Sequence, residues 1–394
     1  METAGELIPP VRTLLGPGPS NVHPRVLKAL ATPLVGHLDP EFLRLMEETK
    51  ELLRFVFQTK NPLTFPISGT GSAGMETCFV NLLEPGDEVV IGVNGVFGTR
   101  MKDVAERCGA IPVIMEAPWG NVFTPAQVQD ALKQCRRPKL VAVVHAETST
   151  GAWQPLEEIS RVVHTAGALF LVDAVTSLGG CPLNVDAWGI DACYSGTQKC
   201  LSCPPGLSPV TFSPAAVDII RQRTAKVQSW YLDVTMIEKY WGEERVYHHT
   251  APISMNYALR EALRLVQEEG LTQRFHRHQQ NHEALAAGLA AMGMSLAAQE
   301  GHRLWPLNSV TIPSGVDDAV VRRQLLDEYN IEIGAGLGPL RGKVWRIGLM
   351  GESSTQSNVL LVLSALERIL YKQGCVCPAG AGVSAAQRVY MTAS

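Results

Sequence analysis

From Glu88 to Phe212 the chain alternates short apolar runs with stretches whose apolar residues recur at helical spacing. The runs Glu88–Val93, Ile111–Met115, Leu140–His145, Leu169–Asp173, Ala192–Ser195 and Ser208–Phe212 predict strands. Between several of them, Arg100–Cys108, Pro125–Cys135 and Leu156–Ala166 predict amphipathic helices. Short strands interleaved with helices imply βαβ units, hence a mostly parallel sheet covered by helices on both faces. Upstream, Phe42, Leu45, Met46, Leu52, Leu53 and Val56 give Pro40–Phe57 the pattern of a packed helix.

Downstream the order changes. A long helix is expected over Met255–Glu269, closed by Gly270, then a helix around Phe275–Met292, a strand near Ser309–Pro313 and a helix over Ala319–Tyr329. Strands near Glu332–Gly334 and Val344–Leu349 and a helix over Ser357–Tyr371 complete a smaller α+β unit. The expected organisation is an N-terminal arm over residues 1–13, a large domain over 14–270 and a small domain over 271–394. The tail from Gly374, rich in Gly, Ala and Ser, is expected to be loosely ordered.

Composition narrows the function. A chain of 394 residues that is 46% hydrophobic and 18% charged buries sizeable cores and exceeds one domain. A net charge of −4 gives no nucleic-acid footprint, and no apolar stretch is long enough to span a bilayer. Met1-Glu2-Thr3-Ala4-Gly5-Glu6 does not read as a signal peptide, and Thr392-Ala393-Ser394 is not a peroxisomal address. Nine scattered cysteines argue for a reducing compartment, so a cytoplasmic location is expected. Cys200 and Cys203 have the C-x-x-C spacing of a redox or metal pair, but no second pair accompanies them, and Cys375-Val376-Cys377 is too tight. Ordinary thiols are the expectation.

Candidate chemistry begins at Ser68-Gly69-Thr70-Gly71-Ser72-Ala73-Gly74, which follows the apolar Leu63–Ile67 and opens a helical pattern over Met75–Leu83. Amides at such a helix start, with the Thr70 and Ser72 hydroxyls, suit a phosphate. The glycine spacing also matches a dinucleotide fingerprint, yet Glu88–Val93 runs into Asn94-Gly95-Val96-Phe97 with no acid to take a ribose. Asp173 and Lys199 each lie just past an apolar strand, at the edge where open α/β sheets bind ligands. Together they form the pair that pyridoxal phosphate requires: an amine for a Schiff base and a carboxylate for the pyridinium N–H.

Seven motifs in register carry a family resemblance: Leu15–Asn21, Ser68–Gly74, Glu147-Thr148-Ser149-Thr150-Gly151, Asp173-Ala174-Val175, Ser195–Lys199, Tyr247-His248-His249-Thr250 and Arg346-Ile347-Gly348. From about Leu14 to Leu370 the sequence resembles the alanine–glyoxylate / serine–pyruvate aminotransferases, class-V enzymes of PLP fold type I. The resemblance implies a homodimer with active sites at the subunit interface, and amino-acid and 2-oxo-acid substrates. It implies Lys199 as the Schiff-base lysine, Asp173 as the pyridine-nitrogen partner, and Thr70, Gly71, Ser72 and Gln198 around the phosphate. Phe97 stands where human-type members stack Trp on the cofactor ring, Thr148 contacts the cofactor beside the ring, and Tyr247 and Thr250 reach the neighbouring subunit's phosphate. Arg346 takes the substrate carboxylate, for which a guanidinium fork is suited. His248 and His249 are expected to be structural or interface residues rather than metal ligands, since adjacent side chains generally point apart and no carboxylate accompanies them.

The implied reaction is ping-pong amino transfer from alanine or serine to glyoxylate or pyruvate, with Lys199 moving the proton. Three alternatives stand beside it. The (S)-ureidoglycine–glyoxylate aminotransferases share the Gly36-x-x-Asp39-Pro40, Thr197-Gln198-Lys199-Cys200 and Asn358-Val359-Leu360 neighbourhoods, but are expected to carry amides where this chain has His37 and Trp230. A cysteine desulfurase is expected to have His before the lysine, where Gln198 stands. A non-catalytic protein of the same fold has no need of Lys199, Asp173 and Arg346 together.

Overall fold

The computed structural model describes residues 5–375 and 378–392. Met1–Ala4 of the polar N-terminus, Cys377 of the tight cysteine pair, and Ala393 and Ser394 of the C-terminal tripeptide lie outside the described residues.

Seven strands form the main sheet, in the order Leu63–Ser68, Leu207–Phe212, Ala192–Tyr194, Leu169–Asp173, Pro138–Val144, Glu88–Val93, Ile111–Glu116. Leu207–Phe212 runs antiparallel to both its neighbours, and the remaining pairings are parallel. The two-residue alternation of each strand explains why both faces are covered. Leu140, Ala142 and Val144 enter one core with Val89, Ile91 and Leu171, while Val141 and Val143 enter another with Val90, Phe170 and Val172. Continuous apolar runs are what such two-sided burial demands.

Pro40–Phe57 is helical over the predicted span. Asp39 caps it by accepting from Glu41 N–H, Pro40 pre-sets the first turn, and Gln58 ends it in the left-handed region. Ile253–Glu269 and Leu271–Ala291 meet at Gly270.

A second, three-stranded sheet follows the order Leu307–Thr311, Val344–Gly348, Gly334–Ala335. Its core includes Trp345, Ile347, Leu285, Leu325 and Leu363 from the surrounding helices and strands. The N-terminal segment joins this sheet's neighbourhood rather than the main one. Thr13–Leu14 pairs in parallel with Ile331–Glu332, and Leu15 is buried in the same core. The expected loose tail is corrected over most of its length: Ala381–Thr392 is a helix packed on Leu271–Ala291, with Ala385 and Ala386 buried and Tyr390 Oη donating to Asn281 Oδ1 at 2.7 Å. Small residues, which read as low order in the sequence, are what let two helices approach closely.

Candidate active site

The two sheets meet along a seam whose apolar base is Ala146, Cys181, Cys200, Leu304, Leu307 and Met350. Above it converge residues from the C-terminal ends of the main strands and from Val344–Gly348.

Asp173 ends Leu169–Asp173 and is buried. Its Oδ1 accepts from Val175 N–H at 2.8 Å and its Oδ2 from Tyr194 Oη at 2.7 Å, Tyr194 being its register partner on the next strand. Burial pushes the carboxyl up to about 6 despite these donors. Lys199 lies past the end of Ala192–Tyr194 and is only 8% exposed. Burial first, and then the positive field of Arg346, bring its amine down to about 8. Nζ donates to Pro17 O, and Ser20 Oγ donates to Lys199 O at 2.8 Å. Gly18 lies on the lysine with φ of 105°, where a Cβ would come within 2.7 Å of Lys199 Cδ. The Leu15–Asn21 motif therefore covers the lysine, a contact between distant segments that no local pattern announces.

The glycine turn delivers the helix Gly71–Leu82 with Thr70 as its cap, the Thr70 side chain making no capping bond. Ser72 Oγ accepts from Arg100 Nη1 at 3.2 Å, and the Arg100 guanidinium lies 5.0 Å from the centre of the Phe97 ring. Phe97 is half-buried in the first turn of Val96–Arg107. Arg100 is a basic neighbour of the turn that the sequence reading left out. Gln198 Oε1 is buried without a hydrogen-bond partner among the described residues.

Arg346, also 8% exposed, makes no ion pair among the described residues. Nε donates to Ala335 O at 2.7 Å and Nη1 to Thr148 O at 3.4 Å, and the Thr148 hydroxyl lies 2.8 Å from that of Thr176. A buried guanidinium held only by carbonyls is matched to an incoming anion.

Tyr247 and Thr250 stand apart from this convergence. Both are exposed, and their hydroxyls lie 3.5 Å from each other. Their loop touches the glycine turn through His249, whose Nε2 is 2.7 Å from Ser68 Oγ. His248 and His249 do not point apart: their Nδ1 atoms are 2.8 Å from one another, with the rings at 88°, and His248 stacks on Trp230. Aromatic packing from both sides draws the two rings together. Cys200 and Cys203 are buried free thiols; burial pushes Cys200 up to about 12 and Cys203 higher still.

The class-V aminotransferase family model matches residues 14–345. The chain belongs to this family. An alanine–glyoxylate aminotransferase from Nostoc sp. shares 53% identity at a TM-score of 0.92, over 94% of this chain and 98% of that one. A ureidoglycine–glyoxylate aminotransferase from Bacillus subtilis shares 46% at a TM-score of 0.96, over 98% of this chain and all of that one (100%). The alanine–glyoxylate aminotransferase of Callithrix jacchus is 43% identical over 365 residues, 92% of this chain and 88% of its own. This aminotransferase is a pyridoxal-phosphate enzyme of fold type I, and the residues present fit that cofactor. A buried amine lies near a buried carboxylate at the sheet edge, and a helix start capped by Thr70, whose first residue Gly71 packs against Gly196 and Val175, lies beside them.

Proposed function

We propose that this aminotransferase moves an amino group from a small amino acid, alanine or serine, to glyoxylate or pyruvate. The observation that carries the substrate side is Arg346, a buried guanidinium with two backbone acceptors and, among the described residues, no counter-anion in ion-pair contact. A substrate α-carboxylate supplies that anion.

Pyridoxal phosphate, when bound, supplies an aldehyde carbon to which an amine attaches and a ring that takes up the electron pair released at the substrate Cα. Lys199 would hold the cofactor through Nζ and, with Nζ free, would move the substrate Cα proton with that same atom. Its depressed basicity keeps a useful share of Nζ unprotonated near neutral pH. Asp173 receives the ring N–H, with Tyr194 and Val175 fixing the carboxylate's orientation. Thr70, Gly71, Ser72 and Gln198 would take the phosphate, Phe97 would face the ring and Thr148 would lie beside it. Arg346 orients the substrate.

The working unit in this reading is a homodimer. Trp230, Tyr231, Val246 and Tyr247 are exposed apolar side chains, with Tyr247 57% exposed; Trp230 and Tyr231 pack on His248, His37 packs on Tyr247, and Tyr240 joins the two groups by its contact with His249 and its bond to His37 O, giving one patch. A two-fold contact there brings Tyr247 and Thr250 to the partner's phosphate. The ureidoglycine reading is supported by the Bacillus relative's 98% coverage of the chain, but His37 and Trp230 both lie in this patch, neither with an amide.

A donor panel of alanine, serine, glycine and ureidoglycine against glyoxylate and pyruvate tests the assignment. Fastest turnover with alanine or serine supports it; a marked preference for ureidoglycine replaces it with the second reading. Lys199→Ala, run alongside, is expected to lose the visible band of lysine-bound cofactor and several orders of magnitude in turnover. Turnover within about tenfold of wild type would remove Lys199 from the mechanism.

A further inference from the structure

Glu147 is a fully buried carboxylate to which the proposed reaction gives no role. It opens the Glu147–Gly151 turn. Its Oε1 accepts from Ser149 N–H at 3.1 Å and Ser149 Oγ at 2.6 Å, and its Oε2 accepts from Phe97 N–H at 3.1 Å. Ser149 Oγ in turn accepts from Val96 N–H at 3.0 Å.

Val96 and Phe97 are the first two residues of the helix Val96–Arg107, and its cap, Gly95, makes no side-chain bond. The helix start is thus capped from a turn 50 positions further along the chain. A Cβ at Gly95 would overlap Glu147 Cγ and Cδ and the Ser149 hydroxyl, so the glycine is what admits the carboxylate. The oriented peptide dipoles of the helix favour an anion there.

Two sides of the site depend on this contact. The Phe97 ring and Arg100, which reaches Ser72, both belong to the capped helix. Thr148, the next residue after Glu147, gives its carbonyl to Arg346. The charged groups that face Glu147 from packed elements are Arg346 on Val344–Gly348 and Asp173 on Leu169–Asp173.

We propose that Glu147 is a positioning residue that, as a carboxylate, ties the ring face at Phe97 and the carboxylate fork at Arg346 to one frame. The inference rests on the assignment of those two residues to cofactor and substrate given above. Every contact to Glu147 comes from a donor, so a glutamine of the same shape fails twice: it loses the charge, and its amide N–H₂ meets donors. Burial pushes the carboxyl up to about 6, which leaves it mainly ionised at pH 7.5.

The test uses full-length wild type, Glu147→Gln and Glu147→Asp. Cofactor affinity is measured by equilibrium dialysis with pyridoxal phosphate, cofactor orientation by visible circular dichroism, and KM and kcat for the amino donor by steady-state kinetics. Glu147→Gln is expected to weaken cofactor binding by about tenfold, to change the visible ellipticity, and to raise the donor KM by a similar factor. Glu147→Asp, which keeps the charge, should recover part of the KM. Unchanged affinity, ellipticity and KM in folded Glu147→Gln would overturn the proposal, as would a lower melting temperature as its only effect. If Glu147→Gln does not fold, Ser149→Ala removes one donor and one cap and should give the same pattern in smaller measure; a silent Ser149→Ala then overturns it. Lys199→Ala separates the two failures, because wild-type protein that never binds the cofactor through this lysine refutes the underlying assignment whatever the Glu147 variants do.

Discussion

Tyr194 donates its hydroxyl to Asp173 Oδ2 at 2.7 Å, and the two residues are register partners on adjacent parallel strands. The bond holds the carboxylate's proton affinity down against a burial that drives it up. Tyr194→Phe removes the donor and should raise the Asp173 pKa further above 6. The acid limb of cofactor binding to the apoenzyme is then expected to shift to higher pH. A limb at the wild-type position would show that the phenol does not tune the carboxylate.

Asp173 also makes the apoenzyme less stable than it need be. Its folded pKa of about 6 stands above the ordinary 3.8, so the folded state holds the proton more tightly than the unfolded chain. Stability from this group is complete below 3.8 and is lost as pH rises through about 6, the charged form costing about 3 kcal/mol at pH 7.5. Asp173→Asn should therefore melt higher than wild type as apoprotein at pH 7.5, with the advantage vanishing towards pH 4. Its kcat should fall far more than its KM changes. An Asn variant that melts lower at pH 7.5 would mean that the bonds from Tyr194 and Val175 outweigh the burial of charge.

Arg346 and Lys199 are coupled through the positive field that helps depress the amine to about 8. Only neutral Nζ attaches the cofactor, so the attachment rate should rise with pH and level off above about 8. Arg346→Gln removes that field and should move the midpoint upward, while raising the donor KM at least tenfold or so through loss of a charged hydrogen-bond pair. Stopped-flow mixing of apoenzyme with pyridoxal phosphate across pH 6 to 10 reads the first effect. A midpoint unmoved by the substitution would sink the coupling.

The proposed sharing of sites across a homodimer predicts complementation. Tyr247→Ala and Lys199→Ala, each weakened or inactive alone, should regain activity after subunit exchange, because a mixed dimer assembles one site lacking both groups and one intact site. Confirmed heterodimers without recovered activity would place Tyr247 in its own subunit's site.

What the sequence made legible follows from locality. Glu88–Val93, Leu169–Asp173 and Pro40–Phe57 appear with the predicted ends, because short apolar runs and the helical spacing of Phe42, Leu45, Met46, Leu52, Leu53 and Val56 are local signals. Lys199 and Asp173 were readable as charges placed at strand ends. Pro24–Leu30, Pro214–Arg221 and Val234–Trp241 escaped, being too short to show a helical period. The Tyr194–Asp173 bond escaped because it depends on strand register, and Glu147 because it caps a helix far from it in the chain. His248 and His249 were misjudged by the rule for adjacent side chains, which takes no account of Trp230 and Ser68 drawing both rings to one place.

The pairing of Thr13–Leu14 with Ile331–Glu332 has a consequence for biosynthesis. The segment that lays Pro17 and Gly18 over Lys199 is made before its strand partner, which emerges from the ribosome more than three hundred residues later. Until then the main sheet can assemble around Asp173 and Lys199 while the lysine's cover is held only by its own contacts, such as Ser20 with Lys199 O, and not by strand pairing. In the nascent chain the reactive amine is therefore expected to be more open to aldehydes until Ile331–Glu332 is made and fixes the segment that covers it.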